Sequence, residues 1–284
     1  CLSAHVWPIG KRPTHLVRSD PPLHWGPARR RRPAGPGGIT VDQPSMGAIG
    51  RNVLPRWIDF STQGTSGHSV ADVAYEAAIT HGPAVGDFLG LPAQSIALNS
   101  VMPRRVLACR TFRTDVDPDI EANYESMIDA LVSSGVTVER VASPSDNDTI
   151  WNWFIMSTAQ LTQSLRHEEH RWNELSDYVQ AQLKFGATVT IDQYIAAQRK
   201  RHEISVRFDE LLGNDAVLLT PTSNARSWPA EGPLPSRAGN TDDPMVTLNT
   251  PDANFTGHPA TSVPMGLDDN GVPCGIHVTG PRFQ

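Results

Sequence analysis

The chain has 284 residues, of which 39% are hydrophobic and 19% are charged, and its formal net charge is −6. This composition supplies enough apolar side chains for a buried core and excludes general disorder. No apolar run approaches the roughly 18 residues that a membrane-spanning helix needs. The three cysteines lie far apart without CxxC or Cys–His spacing, which excludes a disulfide framework and a structural zinc site and predicts a reducing, cytoplasmic location.

The N-terminal part of the chain differs from the rest in charge and in proline content. Residues 1–48 hold seven basic and two acidic side chains, so the remainder of the chain is strongly acidic. Prolines recur too often within residues 1–32 for a helix or a central strand. We therefore expect an irregular head over residues 1–32, outside the fold, and a domain over residues 33–284. The arginine run at 29–32 suits a phosphate-binding arm, but no aromatic residue is interleaved with it, so we expect no nucleic-acid binding.

The predicted elements begin with a helix near residue 70. Asp72 follows Ser69 at the spacing of a capping box, and Gly82 and Pro83 mark the end of the helix. Its one-faced apolar stripe consists of Val70, Val73, Ala74, Ala77 and Ala78.

A strand, a helix and a second strand follow in close succession. The apolar run at 105–109 predicts a buried strand, and residues 136–141 alternate as another. Between them, Asp117 is expected to cap a helix that has Pro118 at its tolerated first position and that Gly135 ends. Such a unit predicts a parallel strand pair with a right-handed crossover. The expected core face of the helix is Ile120, Tyr124, Met127, Ile128, Leu131 and Val132.

The rest of the chain is predicted to be helical over residues 150–212 and to hold strands at 216–221, 261–264 and 275–278. A long Pro/Gly/Asp-rich loop at 223–243 suggests a role in covering a site. The order of these elements, without an internal repeat, predicts an α/β protein. The apolar faces expected within the helical region are Trp151, Phe154, Ile155, Leu161 and Leu165, then Tyr194, Ile195, Ile204, Phe208, Leu211 and Leu212.

Several segments, taken in order, resemble the amidase-signature family of serine amide hydrolases. Residues 43–47 resemble that family's Lys-Pro-Thr-aromatic-Gly turn, and residues 64–72 resemble its Gly-Pro-Met-Ala-Arg-Ser-Val-x-Asp helix entry. Residues 218–222 resemble its core strand, and residues 254–266 and 271–281 resemble its C-terminal segments. Each piece is short, but the ordered set is specific.

The resemblance implies one large α/β domain built on a twisted mixed β-sheet flanked by helices, which we expect to be incomplete at both ends here. It implies hydrolysis of a linear carboxylic amide, a small-molecule substrate, to a carboxylate and ammonia. The family uses a Ser–cis-Ser–Lys triad with backbone N–H groups that hold the oxyanion, and we expect neither a cofactor nor a metal in this chain. It also places Asn254, Thr256 and Gly257 near the substrate, so we expect these residues to form a wall of the pocket.

The triad positions of the family are not matched. When Pro33 and Ala34 are aligned with the family's Pro-Ala pair, its nucleophile falls on Arg29 and its two glycines fall on Pro27 and Ala28. Proline has no N–H to donate to an oxyanion, and an arginine is not acylated as a serine is. The cis-serine motif and the lysine are not matched either. We therefore expect a truncated, inactive amidase fragment.

Two other functions remain open at this point. One is a non-catalytic remnant that keeps a binding pocket formed by residues 216–280. The other is an amidotransferase A-type subunit that acts on charged tRNA together with partner subunits. Ligand-dependent stabilisation without turnover would favour the first, and co-purification of a partner would favour the second.

Two further groups of side chains suggest chemistry but have a simpler interpretation. A strand at 57–60 would place Ser66 on a turn like a nucleophile elbow, but the glycine two positions after the serine is missing, so we interpret Ser66 as part of a helix entry. His167, Glu168 and His170 lie on one predicted helix face, but the zinc spacing is i and i+4. We interpret them as a solvated face and expect no metal.

Overall fold

The computed structural model describes residues 35, 37–58, 60–93, 98, 102–227 and 248–284. The predicted head at 1–32 and most of the predicted loop at 223–243 lie outside the described residues. The strands are β1 Thr40–Gln43, β2 Ser66–Gly67, β3 Arg105–Ala108, β4 Val138–Arg140, β5 Ala216–Pro221, β6 Ala260–Leu267 and β7 Pro273–Thr279. The helices are α1 Val70–Thr80, α2 Pro118–Ser133, α3 Asn147–Leu165, a 3-10 segment Arg166–Glu174, α4 Asp177–Gly186, α5 Ile191–Leu212 and α6 Pro251–Thr256. Of the helices in these ranges, none is both long and apolar enough to cross a membrane.

The strands form one mixed sheet in the order β2-β1-β6-β7-β5-β3-β4. Strand β3 runs parallel to both β4 and β5, and the other neighbours are antiparallel. The predicted strand–helix–strand unit is confirmed, because α2 connects the parallel strands β3 and β4. The α/β class and the mixed sheet are confirmed as well.

Helices cover both faces of the sheet. Successive side chains of a strand point to opposite sides, so the central strands place apolar side chains on both faces. On one face, Val106 and Leu219 pack against Tyr124 of α2. On the other face, Leu107 and Leu218 pack against α3, α5 and α6. The helical residues buried on this second face include Trp153, Met156, Ile204, Phe208, Leu212 and Phe255. The central strands are therefore held between two apolar cores, which fixes the positions of their ends.

One of the two predicted helix caps is confirmed and the other is wrong. In α1, Ser69 and Asp72 form the predicted reciprocal capping box. Helix α2 begins at Pro118 as predicted, but the expected cap is wrong: Asp117 makes no capping bond, and its Oδ2 instead accepts a hydrogen bond from the Arg226 N–H at 2.9 Å. The loop that follows β5 lies close enough to compete for this carboxylate, so a tertiary contact replaces the local one.

The predicted apolar faces are buried at their centres and exposed at their ends. In α1, Val73 and Ala77 are buried, whereas Val70 is 56% exposed. Helix α1 packs on β1 and β2 at the edge of the sheet, which covers only a narrow stripe. Periodicity identifies the face of a helix but not the turns that meet the sheet. Further residues that were predicted to be buried and are exposed are Ala78, Val132, Trp151 and Ile195.

Candidate functional site

The described interior is rich in polar side chains between residues 220 and 279. A buried polar group without a hydrogen bond costs stability, so such groups persist where they are paired or where function requires them. The buried polar residues of this region are Thr220, Thr222, Asn224, Asn249, Thr250, Asp252, Asn254, Thr256, His258, Asp268, Ser262, His277 and Thr279. We take this region as the candidate functional site.

Four of these residues, Thr220, Thr222, Ser262 and His277, form a polar floor on one face of the sheet. Strand pairing places His277 opposite both Thr220 and Ser262, so these three side chains share a face. The hydroxyl oxygens of Thr222 and Ser262 lie 2.8 Å apart. The Thr220 hydroxyl is buried and has no hydrogen-bond partner within the described part of the chain. The floor therefore presents hydroxyl groups inside an otherwise apolar sheet.

Gly275 lets another part of the chain approach the polar floor. A Cβ atom on Gly275 would lie 2.8 Å from the Thr222 hydroxyl, 2.9 Å from the Ser262 hydroxyl and 3.2 Å from the Cα of Gly35. No larger residue fits at this position without displacing a neighbour. Gly35 is the first described residue after the segment to which the family resemblance assigns the nucleophile, and it lies against the floor.

The structure brings the predicted wall residues together on α6 and the turn after it. The Asn254 side-chain amide donates to the Phe60 carbonyl oxygen at 3.0 Å, and the Thr256 hydroxyl donates to the Asp252 carbonyl oxygen at 2.9 Å. Gly257 ends the helix with a φ of 78°, a left-handed conformation that favours glycine. Asn254, Thr256 and Gly257 are all buried. Their use as a pocket wall stays a prediction.

A buried ion pair that the sequence analysis did not predict holds α6 in place. The Arg113 guanidinium donates to both carboxylate oxygens of Asp252, at 2.8 and 2.7 Å, and both side chains are fully buried. Ser145 also donates to Asp252, and Arg113 also donates to the Leu248 carbonyl oxygen. A two-point arginine–carboxylate pair is strong and directional. This cluster therefore fixes the start of α6 against the loops that follow β3 and β4.

His258 links three elements through a chain of hydrogen bonds. Its Nδ1 lies 2.8 Å from the Thr256 hydroxyl and its Nε2 lies 3.1 Å from Asp209, which also pairs with Arg282. Burial lowers the pKa of His258 to about 4, so the imidazole is neutral at pH 7. A hydroxyl, an imidazole and a carboxylate that are hydrogen bonded in this order are also found in the catalytic triads of hydrolases. Thr256 and His258 are 3% and 0% exposed, and their hydrogen bonds tie α5 to the turn before β6 and to the C-terminal residues.

Ser66 does not join a base in the structure. It lies in β2 with an exposed side chain, and its backbone N–H donates to Glu76 at 3.1 Å. The strand expected at 57–60 is wrong, because backbone N–H groups at its end bond back to the Trp57 carbonyl oxygen and close a turn. The nucleophile-elbow geometry is therefore missing around Ser66, and the positions aligned with the family's triad lie outside the described residues.

The remaining candidates for acid–base or metal chemistry lie on helix surfaces. Lys184 and Lys200, the two lysines within the described ranges, are on α4 and α5, and Lys200 is ion-paired. His167, Glu168 and His170 lie on the exposed 3-10 segment. In the part of the chain that the structure describes, no group of three or more His, Cys, Asp or Glu side chains is arranged to hold a metal ion.

Comparison with known sequences identifies relatives along most of the chain. The Amidase family matches residues 31–284. A 2-amino-5-chloromuconic acid deaminase from Comamonas testosteroni is 25% identical over 243 residues, which cover 81% of this chain and 49% of the relative. The A-type subunit of a glutamyl-tRNA(Gln) amidotransferase from Koribacter versatilis is 24% identical over 231 residues, which cover 71% of this chain and 45% of the relative. The chain thus spans about half the length of these relatives.

Solved structures share the fold. A bacterial aryl acylamidase of the amidase signature family superposes with a TM-score of 0.73 at 23% identity, over 88% of this chain and 56% of that protein. A 6-aminohexanoate cyclic dimer hydrolase superposes with a TM-score of 0.74 at 18% identity, over 88% of this chain and 58% of that protein. The mixed sheet and its helices are therefore those of these enzymes.

Proposed function

Because the chain belongs to the amidase family, we propose that it forms part of an amide hydrolase that converts a linear carboxylic amide to a carboxylate and ammonia. The observation that carries this proposal is the match over residues 31–284, a range that includes the polar floor, α6 and all seven described strands. Similarity to a deaminase and to an aryl acylamidase supports a substrate with a carbon–nitrogen bond.

In this proposal the described residues act as a scaffold for the reacting groups. Amide hydrolysis by an activated hydroxyl needs a nucleophile, a base and hydrogen-bond donors at the developing oxyanion. The polar floor contacts the chain at Gly35, which follows the nucleophile position by six residues in the sequence. The Arg113–Asp252 pair fixes α6, so that the predicted wall of Asn254 and its neighbours keeps one position beside the substrate.

We further propose that the chain by itself does not hydrolyse amides. Arg29 occupies the nucleophile position, and Pro27 lacks the N–H that a glycine there would offer to the oxyanion. Loss of the nucleophile alone lowers the rate of such an enzyme by several powers of ten.

The test is an amidase assay of purified residues 1–284 and of a Ser66→Ala variant. Propionamide turnover is followed by ammonia release, and nitroacetanilide turnover by nitroaniline release. We expect neither protein to release ammonia or nitroaniline faster than buffer without protein does. Turnover well above that rate in the unmodified chain would contradict the proposed inactivity, and its loss in Ser66→Ala would identify Ser66 as the nucleophile.

A second function is favoured by the amidotransferase relatives. Similarity to the A-type component of a glutamyl-tRNA(Gln) amidotransferase supports a role of the same type, on charged tRNA and with partner subunits. Affinity purification of the tagged chain from its own organism tests this function: stoichiometric recovery of partner subunits supports it, and recovery of the chain alone contradicts it. Stabilisation of the chain by a small amide without turnover would instead support a non-catalytic binding function.

We also propose a cytoplasmic location. Cys109 and Cys274 are buried free thiols, and burial raises the pKa of each to about 11. Free thiols persist in the reducing cytosol, which supports this location. Fractionation of cells that carry the tagged chain tests it, and recovery from the membrane or culture fluid would contradict it.

A further inference from the structure

The hairpin between β6 and β7 carries the only asparagine–glycine pair in the sequence, Asn270–Gly271. Both residues are exposed at the tip of the hairpin. A Cβ atom on Gly271 would have no neighbour within 4 Å, so the space around its backbone is open. Within the described residues, no hydrogen bond holds the Asn270 side-chain amide. The carbonyl carbon of this amide is therefore accessible to the backbone nitrogen that follows it.

An asparagine side chain and the next backbone nitrogen can react with each other without an enzyme. The deprotonated nitrogen attacks the side-chain carbonyl carbon, the bond from that carbon to the amide nitrogen breaks, and the amide leaves with the proton as ammonia. Water then opens the resulting succinimide ring at either of its two carbonyl carbons. One opening gives aspartate, and the other gives isoaspartate, in which the main chain runs through the former side chain. A glycine in the second position favours the attack, because it has no Cβ atom to hinder the nitrogen.

Asp268 holds the reacting nitrogen in the folded hairpin. The Gly271 N–H donates to the Asp268 carbonyl oxygen at 2.9 Å. The Asp268 carboxylate accepts the N–H groups of Asn270 and Val272 at 2.9 and 2.8 Å. The nitrogen therefore reacts when this turn opens. An exposed turn opens far more often than the whole protein unfolds, so the reaction proceeds in the folded chain at a rate that the turn limits.

We propose that Asn270 is a site of spontaneous modification, at which the chain converts this asparagine to aspartate and isoaspartate through a succinimide with Gly271. The products add a carboxylate next to Asp268 and Asp269, and Arg226, which pairs with Asp269, already pairs with a second carboxylate. Isoaspartate also adds a main-chain atom between the N–H groups that bond to Asp268, so the turn cannot keep all of its hydrogen bonds. The proposal does not depend on the proposed amide hydrolysis, because the attacking nitrogen belongs to the hairpin itself.

The test is incubation of purified residues 1–284 in mildly alkaline buffer, followed by peptide mapping with mass spectrometry. We expect the peptide that holds Asn270 to gain the mass difference between OH and NH2, and an isoaspartyl methyltransferase to methylate part of the product. The gain should be faster at higher pH, because the reacting nitrogen is deprotonated. Asn52 is the internal control, since it is also exposed but is followed by Val53, whose branched side chain hinders the attack. Its peptide should keep its mass.

Two variants test the route and the role of the turn. Asn270→Gln should lose the modification over the same incubation, because its longer side chain would have to form a larger ring. Asp268→Ala should speed the modification about tenfold, because two hydrogen bonds that keep the turn closed are lost. Circular dichroism shows whether each variant is folded. The proposal would be overturned by a mass gain at Asn270 no larger than at Asn52, by aspartate without isoaspartate, or by an unchanged rate in Asp268→Ala.

Discussion

The polar interior between residues 220 and 279 contrasts with the edge of the sheet that carries α1. In the interior, polar groups are removed from water and bond to residues distant in sequence, as Arg113 does with Asp252. At the edge, Tyr75 and Ile79 remain 59% and 66% exposed, and the hydrogen bonds of the helix start are local. The position of α6 therefore depends on long-range pairs, whereas the start of α1 depends on local hydrogen bonds.

Breaking the buried ion pair should destabilise the protein most. Arg113→Met leaves the Asp252 carboxylate buried without its cation, and we expect the free energy of unfolding to fall by about 3–5 kcal/mol. Arg105→Met removes an exposed pair with Glu139 and should lower it by less than about 1 kcal/mol. Urea unfolding of both variants makes the comparison. Equal losses would show that the interior depends on its ion pair no more than the surface does.

The next effect is a dependence of stability on pH. Burial lowers the pKa of His258 to about 4, so the folded state favours the neutral imidazole while the unfolded chain takes up a proton near pH 6.5. The stability that His258 contributes is therefore complete above about pH 6.5 and is lost as the pH falls towards about 4, in total about 3 kcal/mol.

Urea unfolding at neutral pH and at mildly acidic pH measures this dependence. His258→Asn should flatten the change of unfolding free energy with pH. His68→Asn, at an exposed position, is the matched control and should leave that change as it is in the unmodified chain. The same slope in His258→Asn and the unmodified chain would show that another group titrates.

A smaller loss of stability is expected when Gly275, which lies close to two hydroxyl groups of the polar floor, is enlarged. Gly275→Ala places a methyl group 2.8 Å from the Thr222 hydroxyl and 2.9 Å from the Ser262 hydroxyl, and we expect a loss of about 1–3 kcal/mol from overpacking. Gly37→Ala is the control, since the nearest atom to its new methyl group lies at 3.8 Å, and its effect should stay within about 0.5 kcal/mol. Equal unfolding temperatures of the two variants would show that the polar floor accommodates the added methyl group at no measurable cost in stability.

The smallest effect concerns the edge of the sheet. Ser69→Ala removes the side-chain cap of α1 and should lower stability by about 1 kcal/mol, with faster hydrogen exchange confined to the first turns of α1. Ser134→Ala, at the exposed C-terminal end of α2, serves as the control. Faster exchange across α6 in Ser69→Ala would contradict the independence of the two regions.

Elements with a local signal could be predicted from the sequence. The capping box at Ser69 and the start at Pro118 are confirmed, and the strand predicted at 216–221 has the bounds of β5. Strand β4 is shorter than the predicted 136–141, because the Val136 N–H bonds to the end of α2 and not to a neighbouring strand. Local patterns therefore predict the bounds of an element correctly unless one of its backbone or side-chain groups bonds to another element instead.

The candidate site could be predicted only in part. The family resemblance leads to the segment that holds Asn254, but no pattern shows that Arg113 fixes it, since Arg113 and Asp252 are 139 positions apart. The hydroxyls of Thr222 and Ser262 meet across 40 positions, through two strand pairings. Arg110 and Arg113 both follow the predicted strand at 105–109, and no pattern in the sequence distinguishes the two or identifies a partner for either.

Exposure of the folded chain to a fluorophosphonate, followed by intact-mass spectrometry, measures directly whether any serine is activated. Our interpretation of the interior as a scaffold without its own nucleophile predicts an unchanged mass, because no serine in the described residues is hydrogen bonded to a lysine or histidine base. A stoichiometric adduct on a serine, lost when the protein is unfolded before labelling, would contradict it.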